Sequence, residues 1–380
     1  MKILADANIP FVKECFSSLG DVTAVPAGRI TTELIADADI LLVRSVTRVD
    51  EALLNRSHAK FVGAATSGFE HVDTEFLQRK GIGFAYAPGS NANSVAEYVI
   101  AALLALAKKR KFQLQDKSIG IIGVGHIGSK VAAKTAELGM EVLLNDPPLQ
   151  RQTGDAKYLP LEGLADCDFI TMHTPLTFEG IDRTFHLADE AFFQSLKGGA
   201  FFINTARGGV VDTAALKTAL RSKKVAGAAL DVWENEPNVD NELLLMVDLS
   251  TPHIAGYSLD GKVAGLMMIY EAACEYFGTE PKYSAEDFLP GPETPEITID
   301  PNAGTEQNIL HDTVQQVYVI NRDDFNMREI LIVPQEARGK WFEDLRADYP
   351  VRREFQNTRI IFNRPSDIIA AKLEGIGFKV

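Results

Sequence analysis

A chain of 380 residues is too long for one ordinary core and predicts two or three domains. Its 46% hydrophobic and 24% charged content is that of a soluble globular protein. With 38 basic and 52 acidic residues the net charge is −14, which argues against a nucleic-acid partner and requires any anion site to be locally basic.

The opening MKILAD reads as a strand, and ADILLVRS (38–45) and KFVGAAT (60–66) as two more, with helical stretches between. Such alternation predicts a mostly parallel sheet. The start of the chain has no long apolar core and no cleavage signal, and the longest apolar run, VIAALLALA from Val99, is too short to span a bilayer. A cytoplasmic protein is expected. In NSVAEYVIAALLALAKKR, Ser94 and Glu97 stand at capping-box spacing, so a helix is expected to begin there. Being apolar on most faces, it is expected to lie buried between two domains.

A second series follows: KSIGIIG, MEVLLND, DFITMHT, AFFINTA and VAGAALDVW, short apolar runs bounded by turn residues. It predicts a second doubly wound unit over about 96–256. Residues 257–278 read as a helix returning to the first domain, 280–304 as a linker rich in Pro, Gly and acids, and the remainder as helices with one strand-like stretch, TRIIFN. Cys15, Cys167 and Cys274 are odd in number with no CxxC spacing, so no disulfide framework, cysteine zinc site or other metal site is suggested.

Within the second unit, Gly123, Gly125 and Gly128 have G-x-G-x-x-G spacing between a strand and a helix, and Asp146 follows 18 residues after Gly128. That context predicts a dinucleotide site. Pyrophosphate would sit at the helix N-terminus, and Asp146 would accept the adenosine ribose hydroxyls, favouring NAD over NADP. Arg151 is the one nearby cation that could suit a 2′-phosphate, but it is poorly placed in sequence. Arg207, Glu236 and His253 each follow a predicted strand of this unit. Loops at strand carboxyl ends converge on the ligand crevice of a doubly wound sheet, so the three are expected to meet. The chemistry of alcohol oxidation suits them: an imidazole base, a carboxylate to fix its tautomer, and a guanidinium to clamp a carboxylate and polarise a carbonyl.

The stretches ATSGFEHVD, NANSVAEYVIAALLAL, IGIIGVGHIG, FINTARGGVVD, GAALDVWENEP and TPHIAG, in this order, resemble the D-isomer-specific 2-hydroxyacid dehydrogenases. The resemblance implies a flavodoxin-like substrate domain (1–95, completed by 257–285) and a Rossmann NAD domain (96–256). Arg207, Glu236 and His253 would be catalytic. The cofactor would be lined by Gly123, Gly125, His126, Ile127, Gly128, Asp146, Thr174, Thr205, Ala206, Arg207, Asp231 and Gly256. The extra C-terminal length narrows the resemblance to members acting on a phosphorylated 2-hydroxy acid. These carry an α+β dimerisation domain, here 286–380, which implies a homodimer and substrate contacts from Ser45, Thr66 and Tyr257 on the first domain. A phosphate also needs cations, and Arg44, Arg48, Arg346, Arg352 and Arg353 remain open as candidates. Two rival readings stand: a phosphoglycerate dehydrogenase, whose regulatory C-terminal domain should show βαββαβ, and an NAD-sensing corepressor on the same fold.

Overall fold

Two parallel sheets organise the molecule, described over residues 1–380 by a computed structural model. The chain divides into two units, 1–91 with 258–291, and 92–257 with 292–380.

The first unit holds β1 (Lys2–Asp6), β2 (Asp21–Val25), β3 (Ile40–Val43), β4 (Phe61–Ala64) and β5 (Gly83–Tyr86) in the order β2-β1-β3-β4-β5. Every residue of β3 and β4 is buried, as expected of parallel strands covered on both faces. One cover is the helix Leu259–Phe277, which does return to this unit and packs Leu266, Ile269 and Tyr270 against Ile3, Ile40 and Phe61. Its start is set by Ser258, whose hydroxyl accepts from the Gly261 N–H at 2.8 Å.

The second unit holds β6 (Ser118–Ile122), β7 (Glu141–Asn145), β8 (Phe169–Met172), β9 (Ala200–Asn204), β10 (Val225–Leu230) and β11 (Leu249–Ser250), all parallel, in the order β11-β10-β9-β8-β6-β7. A further strand beyond β7 is reduced to a single bridge, Tyr158 to Leu144. The chain leaves β6 to one side for β7 and to the other for β8, which opens a crevice above β6 and β8. The register is level at that edge: Asn145, Ile122, Met172, Asn204, Leu230 and Ser250 form one row of partners. The motif loops all leave from this row.

Residues 286–380, expected as a domain of their own, cluster from Pro292 onward with the second unit. Two strands pair in parallel there, β12 (Glu296–Ile299) and β13 (Arg359–Phe362), so part of the expected linker is a strand. Four helices accompany them: Glu306–Val317, Ile320–Arg328, Arg338–Ala347 and Asp367–Ile376. A βαββαβ pattern is not what they form. Ile297, Leu310, Val314, Ile360 and Leu373 share one core with the helix Ala92–Arg110 and with Ile119 and Ile121 of β6. That helix was expected to be buried between domains. Within the second unit, the C-terminal segment already supplies cover for its apolar surface.

The same helix corrects the capping-box expectation. It begins at Ala92, and Ser94 and Glu97 lie inside it, buried. Ser94 Oγ donates to Glu354 Oε1 at 2.8 Å, and Glu97 Oε1 accepts from Asn93 Nδ2 and from the Phe355 N–H. These cap-type side chains bind the C-terminal segment instead of their own helix end. Burial, and then the Glu354 charge, push the Glu97 carboxyl well above its usual range. No helix is long and apolar enough to cross a membrane.

Candidate active site

The loop after β6 is built by close approaches. Gly123 has φ +86°, and a Cβ there would stand 2.9 Å from the His173 carbonyl carbon and oxygen. A Cβ on Gly128 would fall 1.9 Å from the Gly123 oxygen, so the helix His126–Glu137 can start only because position 128 is bare. Gly125 differs: a Cβ there would meet nothing within 4 Å. The open space at the helix start, with Gly125 and His126 exposed and Ile127 half-buried, suits an anion held by the first turn of N–H groups.

Asp146 caps the next helix, accepting from the Leu149 N–H at 3.0 Å, and also accepts from the Val124 N–H at 2.8 Å. It is therefore fixed beside the glycine loop while half-exposed, with lone pairs left for a diol. Arg151 is spent on Asp182. Across the crevice Thr174 Oγ1 is buried with no hydrogen-bond partner. An orphaned hydroxyl beside an open glycine turn and a fixed carboxylate fits a dinucleotide.

The expected lining residues do not all have side chains to offer. Thr205 is buried, and its hydroxyl pairs with His173 Nδ1 at 3.2 Å, while His173 Nε2 pairs with Thr171 Oγ1 at 3.0 Å. Burial pushes the His173 imidazole down to about 3. Ala206 is buried and Gly256 half-buried. Asp231 was expected to line the cofactor. It is 1% exposed, and its carboxylate is committed within the chain: Oδ1 accepts from the Ile254 N–H and the Thr251 hydroxyl, each at 2.7 Å, and Oδ2 from the Ala255 N–H at 3.0 Å. Its carbonyl accepts from the His253 N–H at 2.7 Å. Asp231 is the frame of the histidine loop, a role its place at a strand end did not distinguish.

That frame holds His253 at φ +59°, a left-handed backbone that costs a non-glycine residue on the order of 1 kcal/mol. The outcome is contact with Glu236: His253 Nδ1 and Glu236 Oε1 are 2.5 Å apart, both groups about a quarter exposed. Glu236 Oε2 accepts from the Trp233 N–H at 3.1 Å, and the Trp233 indole donates to the Thr251 carbonyl at 3.0 Å. Burial pushes the Glu236 carboxyl up. The bond and charge of His253, the Trp233 N–H and the Arg346 guanidinium outweigh it and hold the carboxyl below the usual glutamate range.

Arg207 leaves β9 with extended backbone (φ −144°), its Nη1 donating to the Ala206 carbonyl. A Cβ on Gly208 would lie 1.9 Å from the Trp233 carbonyl oxygen, so the arginine loop is pressed against the loop that carries Glu236. Glu234 ties this loop twice more, to His186 Nε2 at 2.6 Å and to the Thr213 N–H at 3.1 Å. Sequence spacing did not single out this second imidazole–carboxylate pair.

Tyr257 belongs to the second unit, not to the first domain as expected. Its hydroxyl accepts from Arg346 Nη2 at 3.0 Å. Ser45 and Thr66 lie in the first unit, each two residues beyond the paired ends of β3 and β4. Ser45 is exposed, and Thr66 Oγ1 donates to the Gly68 carbonyl at 2.7 Å.

Comparison with known proteins agrees with this geometry. Residues 96–255 match the family of D-isomer specific 2-hydroxyacid dehydrogenases, NAD binding domain, and residues 288–377 match a separate domain of unknown function. The erythronate-4-phosphate dehydrogenase of Salinibacter ruber is 44% identical over 391 residues, covering all of this chain and 99% of that protein. The enzyme of the same name from Escherichia coli is 43% identical over 379 residues, covering 100% and 98%. Among solved structures, a protein of Thermus thermophilus superposes with a TM-score of 0.65 at 26% identity, over 74% of this chain and 99% of its own. A D-lactate dehydrogenase from Aquifex aeolicus, complexed with NAD and lactic acid, gives 0.61 at 25%, over 73% and 96%.

Proposed function

The chain belongs to the D-isomer-specific 2-hydroxyacid dehydrogenase family, and from that footing we propose that it oxidises 4-phospho-D-erythronate to 2-oxo-3-hydroxy-4-phosphobutanoate with NAD, in pyridoxal 5′-phosphate synthesis. The observation that carries the reading is the 2.5 Å contact between His253 Nδ1 and Glu236, in a chain alike along its whole length to enzymes of that name.

An ionised Glu236 accepts a hydrogen bond from the Nδ1–H of a neutral His253, which leaves Nε2 unprotonated as the base for the substrate hydroxyl. As the imidazole gains that proton, Glu236 stabilises the new charge. Arg207 clamps the substrate carboxylate and polarises the nascent carbonyl. Bound NAD would supply the hydride acceptor. Gly123, Gly125, Gly128 and Asp146 would hold it, with Thr174 Oγ1 supplying a hydroxyl.

We extend the reading to a cytoplasmic homodimer joined through the C-terminal segment. There Phe325, Ile332, Val351 and Ile368 are 65%, 85%, 67% and 66% exposed, more apolar surface than a solvated segment needs. The test is NAD reduction by the purified full chain against 4-phosphoerythronate, 3-phosphoglycerate, D-lactate and glycerate. Turnover led by 4-phosphoerythronate is the expected result; preference for 3-phosphoglycerate, or no turnover of any, overturns it.

A further inference from the structure

The protein is strongly acidic, so a doubly charged phosphate must meet its cation at short range. Five arginines are open to that role by sequence, and the structure separates them. Arg44 is bound to the fully buried Asp6 at 3.1 Å, and Arg48, 84% exposed, pairs with Asp50 at 2.9 Å. Arg353 is buried and donates to Asn357 at 2.8 Å. Arg352 is only 6% exposed, stacked over the Tyr318 ring at 4.1 Å and donating to the Ala255 carbonyl at 2.7 Å; its Nε and Nη1 are also buried without a partner, but it presents no edge to a ligand and pins the chain just after His253.

Arg346 is different. It lies in the last turn of Arg338–Ala347, is half-buried, and has no carboxylate within 4 Å. Its Nη2 bonds the Tyr257 hydroxyl, its guanidinium lies 5.8 Å from that ring's centre, and its Nε is buried with no partner. A buried guanidinium N–H left unpaired is costly unless a ligand satisfies it. The charge also reaches the catalytic loop, since it is among the groups that keep Glu236 ionised. Arg346 comes from the segment that matches its own domain family. The superposed D-lactate dehydrogenase covers only 73% of this chain, a shortfall as long as that segment. Lactate carries no phosphate.

We infer that Arg346, presented by the C-terminal segment beside Tyr257, is the ligand for the phosphate of the substrate and sets the preference for phosphorylated over unphosphorylated 2-hydroxy acids. The inference rests on the reading under Proposed function and names the group behind its specificity. The Nε–H and the parallel N–H of Nη2 form the fork that donates to the phosphate oxygens, while the second Nη2 N–H bonds the Tyr257 hydroxyl, which orients it.

The experiment compares wild type, Arg346→Met and Arg346→Lys, each as the full chain, on 4-phosphoerythronate and on D-erythronate, with inorganic phosphate as a competitive inhibitor. Thermal melting and NAD titration report on folding. The expected result is a loss of about 10–100-fold in kcat/KM on the phosphorylated substrate in Arg346→Met, carried mainly by KM. Its preference for that substrate collapses, phosphate inhibition weakens in parallel, and lysine restores part of both. Equal losses on the two substrates, or a fall in kcat with an altered pH profile and unchanged preference, overturn the assignment and make Arg346 a positioning residue for Glu236. A wild type inert on 4-phosphoerythronate removes the parent reading and this assignment together. An active wild type whose preference survives in Arg346→Met removes this assignment alone. If Arg346→Met does not fold, the lysine variant decides on the same criteria.

Discussion

The glycine loop after β6 and the histidine loop after β11 leave the same edge of one sheet and are built on opposite plans. The first is defined by what is missing: positions 123 and 128 exclude a Cβ, position 125 opens on space, and Thr174 keeps an unpaired hydroxyl. The second is filled: Asp231, Trp233 and Thr251 satisfy one another and the backbone from Thr251 to Ala255. A site that must admit a cofactor needs room and spare donors. A group that moves a proton must be fixed in angle before substrate arrives. The difference follows from that division of work.

The comparison is tested most sharply by whether the two loops fail separately. His253→Ala should lower turnover by about 10²–10⁴-fold with NAD affinity retained. Gly125→Val should do the reverse, folding normally but losing NAD, because its side chain enters the open space. Turnover in steady state and NAD titration by fluorescence check both; loss of NAD binding in His253→Ala would merge the loops into one element. Next in size is Asp231→Ala, which leaves the Ile254 and Ala255 N–H groups and the Thr251 hydroxyl without their carboxylate acceptor, while the His253 N–H keeps the residue-231 carbonyl. A loss of several kcal/mol in urea unfolding is expected, at about 1–3 kcal/mol per orphaned group. A change within about 0.5 kcal/mol, the size of a surface substitution, would show that the loop does not need its frame.

How much of this was legible in sequence depends on what each residue does. Gly123, Gly125, Gly128 and Asp146 announce themselves because a turn, an approach and an acid recur at fixed spacing along one βαβ unit. Glu236 and His253 were readable as strand-end residues, which the parallel register brings to one edge, and through the motifs GAALDVWENEP and TPHIAG that carry the family resemblance. Asp231 stands at the same kind of position but turns inward, and only the bonds to Ile254 and Ala255 reveal its role. Ser94 and Glu97 have the right local spacing for a cap, but partners some 260 residues away override it. Arg346 has no motif at all: its meaning comes from where the tertiary fold of a late segment sets it down.

The smallest expected effect concerns His173, which sits between the two loops. Its buried imidazole stays neutral down to about pH 3, whereas in the unfolded chain it titrates near 6.5. Between those values the unfolded chain binds one more proton, so stability falls as pH drops through that window, by up to about 1.4 kcal/mol per unit. His173→Asn should flatten the slope of unfolding free energy between about pH 6 and 4 by that amount. An unchanged slope would mean that the imidazole is charged in the folded state.

Neither unit is continuous in the chain, and this governs how the molecule can be made. Residues 1–91 form a sheet whose covering helix arrives only at 259–277, and the helix Ala92–Arg110 waits for partners at 306–328. At a synthesis rate of about 5–20 residues per second, some 200 residues separate that helix from its late partners, so the face they cover waits for roughly 10–40 s, while β6 covers another part almost at once. The nascent protein thus can finish neither half until most of its length has been made.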